Sequence, residues 1–154
     1  MIRRYYTAAI FIYTLFLLYM MFFGLGRHSS DLRFLQLHPF QTITHFFGPH
    51  INRQAFLINI VGNVFVFSPF GLLGLILKKL NRIKFLSLSF LLCICIVEFA
   101  QYITGRGTAD IDDVILNTTG MLLGFGLLQA SAQFNWFNIS IYLPKKERNI
   151  VSSY

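Results

Sequence analysis

Charge is scarce in this sequence. Only 12% of its 154 residues are Asp, Glu, Lys or Arg, about half the share of a soluble domain, and that excludes an ordinary water-soluble globule. Acids are rarest: there are six, and four of them, Glu98, Asp110, Asp112 and Asp113, fall in one short stretch. Cysteine is nearly absent. Cys93 and Cys95 have one residue between them in an apolar run; on a helix they point about 200° apart and cannot bridge. They read as small buried hydrophobes, and no disulfide framework follows. A phosphate-cradling glycine loop, a nucleophile elbow and a paired Cys/His zinc signature are all missing, as are internal repeats and low-complexity tracts.

What is present is apolar: 55% hydrophobic residues, a mean hydropathy of +0.60 and a net charge of +7. The bases punctuate apolar runs instead of forming a patch with interleaved aromatics. This argues for a membrane protein and against a nucleic-acid partner. The length suits a single domain. Four segments, 5–26, 54–77, 85–104 and 114–134, approach the ~20 residues that cross ~30 Å of hydrocarbon. The first is too long for a signal-peptide core and lacks an A-x-A-like site, so it reads as an uncleaved helix. The second carries Ser68-Pro69 at its middle, where proline kinks a helix. The expected fold is an all-α membrane protein with four transmembrane helices.

Nine bases (Arg3, Arg4, Lys78, Lys79, Arg82, Lys84, Lys145, Lys146 and Arg148) fall on one side of this topology, and four (Arg27, Arg33, Arg53 and Arg106) on the other. The positive-inside rule then makes both termini, and the tail 135–154, cytoplasmic. The loop 27–53 and the turn 105–112 face outward. In that loop Phe40, Ile43, Phe46 and Phe47 recur at helical spacing after Pro39, which suits a first turn. A short interfacial helix ended by Gly48-Pro49 is expected. The apolar stretch 136–143 is too short to span and is placed at the inner interface. His28, His38, His45 and His50 all lie in the outer loop and read as interfacial polar residues; no metal or cofactor is expected.

A charge in an apolar helix costs roughly 2.5–3.5 kcal/mol near the helix centre on insertion scales, so such groups face protein or water and commonly serve a site. Asp113, Asn117, Gly120 and Gly124 share one face of the fourth helix at ~100° per residue. Asn59 and Asn63 are four apart on the second helix, and Glu98 has Gln101 one turn on. By helical rise these groups lie within roughly 5–14 Å of the outer helix ends. Each has a structural reading beside the functional one. Asp112 or Asp113 caps the fourth helix. Gly105 ends the third. Arg106 pairs with Asp110 or Asp113. The asparagines are interhelical hydrogen-bond glue, and Gly120-x-x-x-Gly124 a packing motif.

These blocks resemble the VanZ-like family of small bacterial membrane proteins. The resemblance lies in Gln36-Leu37-His38-Pro39-Phe40, in Asn59-Ile60-Val61-Gly62-Asn63 with Phe67-Ser68-Pro69-Phe70-Gly71, in Glu98-Phe99-Ala100-Gln101, and in Asp110-Ile111-Asp112-Asp113-Val114 with Asn117-Thr118-Thr119-Gly120. It implies a role at the bacterial cell surface and lowered sensitivity to teicoplanin-type lipoglycopeptides, which bind peptidoglycan precursors outside the membrane. Two functional readings follow. In the preferred one, an outward polar pocket binds a lipid-linked cell-wall precursor, a lipid headgroup or a lipoglycopeptide. Asn59, Asn63, Gln101, Arg106 and Asn117 are then its ligands, and Arg53 is a second anion-binding base. In the other, an intramembrane enzyme uses Glu98 as general acid/base, with Asp110 or Asp113 as a second carboxylate. A transporter is disfavoured because the strong polar groups leave no path across.

Overall fold

The computed structural model describes residues 2–24, 28, 29, 31, 33–45 and 57–134. The stretch 136–143, Gly48-Pro49, Arg53 and His50 lie outside them. Three helices are long and apolar enough to cross a membrane: α1 (Ile2–Phe23), α4 (Ile83–Thr104) and α5 (Ile111–Gln133). The fourth expected segment is a shorter apolar helix, Asn59–Leu75, within a run of three geometries. A π turn over Leu57–Val61 leads into α-helix over Gly62–Phe67 and then 3-10 helix over Ser68–Leu75, together called α3. A 3-10 turn, Lys78–Asn81, joins α3 to α4. In the first loop lie a two-residue strand, β1 (Leu35–Gln36), and a five-residue helix, α2 (Gln41–His45). β1 pairs in parallel with β2 (Ala109–Asp110), Leu35 against Ala109 and Gln36 against Asp110.

Why α3 changes geometry can be read from its sequence. Ser68, Gly71 and Gly74 recur every third residue, and only a helix of three residues per turn stacks them on one face. That face meets α5. A Cβ at Gly71 would overlap the α5 backbone at Met121 and Phe125, and one at Gly124 would overlap the Ser68 carbonyl. Gly120 likewise sits on Val64. The Gly120/Gly124 pair and the small-residue face of α3 thus bring two backbones into direct contact, which is how helices associate where water supplies no hydrophobic drive. Stretching also adds reach: Gly62 to Leu75 spans about 25 Å by rise, against about 21 Å as uniform α-helix.

Pro69 has no N–H, so the Val66 carbonyl loses the donor a 3-10 turn would otherwise provide. The Tyr13 hydroxyl of α1 donates to that oxygen at 2.7 Å, and the Tyr6 hydroxyl donates to Pro69 O at 2.8 Å. With Arg3 Nη2 donating to Ile76 O at 2.6 Å, these bonds set α1 antiparallel to α3. α1 is otherwise lightly packed. Phe11, Ile12, Leu15, Phe16 and Tyr19 are exposed along one broad face, as suits a helix solvated by lipid. The core lies between α3, α4 and α5 around Phe67, Leu86, Phe90, Ile94, Val114 and Met121.

Candidate functional site

Two sharp local structures build the polar end of the bundle. α4 ends in a Schellman motif: Gly105 adopts φ 65°, its N–H reaches Tyr102 O, and Arg106 N–H reaches Gln101 O. Glycine adopts that conformation at no steric cost. Five residues after Gly105, Asp110 in extended conformation caps α5, its carboxylate accepting from Asp112 N–H at 2.8 Å. The cap is therefore Asp110, not the expected Asp112 or Asp113. The reason is one of position: the residue before the first helical turn supplies the cap, and β2 holds Asp110 extended just there.

Asp112 is released for another task. It is 0% exposed, and it accepts from Phe40 N–H at 2.5 Å and Ile43 N–H at 3.0 Å. One carboxylate thus ties down the start of α2. The helical spacing of Phe40 with Ile43 predicts a helix that includes Phe40. Phe40 instead lies just before α2, at φ 66°, a conformation that costs a bulky residue free energy. The bond to Asp112 holds it there. Gln36 and Gln41 bond to each other through their side chains on the same loop.

The candidate residues separate into groups. Glu98 is buried, and its Oε2 accepts from Asp110 N–H at 3.3 Å, so it supports the α4–β2 corner. Asp113 accepts from Asn63 Nδ2 at 3.0 Å, joining α5 to α3. Asn117, one turn below, is 1% exposed, and its Oδ1 has no hydrogen-bond partner. Gln101 and Arg106 turn the other way. Gln101 Nε2 donates to Met21 O at 3.0 Å, and Arg106 Nη1 donates to Phe22 O at 3.3 Å with its guanidinium 4.3 Å over the Phe23 ring. Both satisfy carbonyls that the last turn of α1 leaves without intrahelical donors. Asn59 is exposed on α3. Glu98, Asp110, Asp112, Asp113, Asn63 and Asn117 are thus brought to one end of the bundle, and Gln101 and Arg106 face its border with α1.

Among the described residues no group of three or more His, Cys, Asp or Glu side chains is arranged to hold a metal ion. Chemically the end is a set of hydrogen-bond acceptors. Backbone N–H groups donate to Glu98, Asp110 and Asp112, Asn63 donates to Asp113, and the Asn117 carboxamide oxygen meets no donor.

Residues 10–133 match the VanZ/LLP1 family. The chain belongs to that family. The match runs from within α1 to the end of α5 and takes in every candidate residue. No curated protein and no solved structure matches the chain significantly. Two features of this VanZ/LLP1 chain escape a sequence reading. The tether from Asp112 to the loop pairs residues about seventy positions apart, and only the spacing of Phe40 and Ile43 hints at it. The other is a partly buried bond from Gln129 Nε2 to Asn81 Oδ1, 3.2 Å, at the opposite end, for which the sequence carries no signal.

Proposed function

We propose that this VanZ/LLP1 protein is a multi-pass bacterial membrane protein with both termini cytoplasmic and four passes, α3 being the second. Its polar end faces outward and binds the head of a lipid-linked cell-wall precursor or a lipoglycopeptide, lowering sensitivity to teicoplanin-type drugs. The single observation that carries the reading is Asn117. It is a carboxamide almost wholly buried in an apolar bundle, with an acceptor oxygen that no protein donor fills. A buried unpaired acceptor costs about 1–3 kcal/mol, and a ligand hydroxyl or amide N–H would recover that. Sugars and peptides carry such donors; a bare phosphodiester does not.

The second reading, an enzyme with Glu98 as general acid/base, is favoured by the adjacency of Glu98 and Asp110. One experiment separates the two. In cells carrying the gene, teicoplanin sensitivity and precursor lipids are measured for wild type, Asn117→Leu and Glu98→Gln at equal protein level. The binding reading expects Asn117→Leu to lose the phenotype and Glu98→Gln to retain most of it. Loss of the phenotype in Glu98→Gln, with chemically altered precursors in wild type only, supports the enzyme instead. A full phenotype in Asn117→Leu sinks the binding reading.

A further inference from the structure

The opposite end of the bundle holds a second feature, unrelated to the polar cluster. A cavity of about 380 Å³ opens between the α3–α4 turn, the start of α4 and the last turns of α5, lined by Asn81, Arg82, Lys84, Phe85, Phe125 and Gln129. We infer that this cavity binds the phosphodiester headgroup of an anionic membrane lipid.

Charge supports this first. Arg3, Arg4, Lys78, Lys79, Arg82 and Lys84 gather at this end, because the N-terminus of α1 lies against the end of α3 and the start of α4 follows directly. Among the described residues Arg82 and Lys84 are exposed and no carboxylate pairs with either. Glu98, Asp110, Asp112 and Asp113 all sit at the far end of α4 and α5. Two cations at one cavity mouth, with no carboxylate paired to either among the described residues, are complementary to a single diester anion.

The floor is built rather than accidental. Asn81 is 2% exposed and accepts from Gln129 Nε2, and its backbone lies so close to Gly74 that an added Cβ there would come within 3.0 Å. The turn carrying Arg82 is thereby fixed to both α3 and α5. The rim decides between a lipid and a free anion. Phe85 is half exposed, Ile83 is exposed beside it, and Phe125 forms the inner wall. A soluble phosphate would leave those apolar surfaces unused, whereas a lipid covers them with its glycerol and upper chain.

The test uses the full chain in detergent, with retained lipid counted by native mass spectrometry. The probes are phosphatidylglycerol, phosphatidylcholine and inorganic phosphate. Phosphatidylglycerol is expected to bind more tightly than phosphatidylcholine, and inorganic phosphate at equal concentration is expected not to displace it. Arg82→Gln and Lys84→Gln should each weaken phosphatidylglycerol about fivefold, and together roughly 30-fold, from the contribution of one base near an anionic lipid surface. Phosphatidylcholine retention and helicity should stay unchanged in all three variants, which reports that they fold. Lys78→Gln with Lys79→Gln removes the same charge outside the cavity and should cost much less. Unchanged binding in the Arg82/Lys84 double variant overturns the inference. So does an equal loss in the Lys78/Lys79 pair, which would mean diffuse surface charge. Displacement by inorganic phosphate would mean a soluble-anion site and overturns it too.

Discussion

Asp112→Asn asks whether the acidic stretch shapes the first loop. In the native protein both carboxylate oxygens are used, Oδ1 by Phe40 N–H and Oδ2 by Ile43 N–H, and the side chain is inaccessible to solvent. Asparagine is nearly isosteric, so packing is preserved and only chemistry changes. Its single oxygen can keep one of the two bonds, and the other backbone N–H then faces an NH2 group. Leaving one buried donor without an acceptor costs about 1–3 kcal/mol, and the surviving bond also loses its charge assistance. Because α2 has only five residues and its neighbours are exposed, the loop undocks before the bundle unfolds. Phe40, held at φ 66°, gains by leaving that conformation. Amide exchange at Phe40 and Ile43, followed by NMR or mass spectrometry in detergent, should accelerate about 5- to 150-fold, the range set by that free energy. Exchange within α4 and α5 should not change. If the two loop amides exchange at native rates in Asp112→Asn, the carboxylate is not what holds the loop.

The packing of α5 on α3 makes a matched pair of predictions. Gly124→Ala puts a methyl into the Ser68 carbonyl and should destabilise by about 1–3 kcal/mol or more, whereas Gly126→Ala meets nothing within 4 Å and should be neutral or stabilising by up to about 1 kcal/mol. Thermal unfolding in one detergent checks both, and equal shifts would refute the close contact. Gln101→Leu removes the donor to Met21 O and should cost about 0.5–1.5 kcal/mol. It should also broaden the distance distribution between spin labels at Phe23 and Thr104. An unchanged distribution would mean that α1 is held by its other bonds alone.

Much of this protein was settled by order along the chain. Scarce charge and long apolar runs dictate membrane helices, because an apolar segment of that length can satisfy its backbone only within itself. Gly105 sets the end of α4 where the sequence places it, since a left-handed turn is a local demand, whereas α5 starts at Ile111, three residues before the expected 114. The Asn, Glu and Asp motifs also mark which end of the bundle is polar, because helical rise converts sequence position directly into depth. What each group bonds to was decided by tertiary structure. The close contact of α3 with α5 exists because Val64, Ser68 and Gly71 find the backbone around Gly120 and Gly124. Gln101 and Arg106, read in the sequence as pocket ligands, donate to carbonyls of α1, a helix some eighty residues earlier. Asp112 binds a loop and Asp110 takes the cap. Sequence specifies where a polar group lies along its own helix; only the neighbour that folding brings alongside determines which unsatisfied donor or acceptor it must meet.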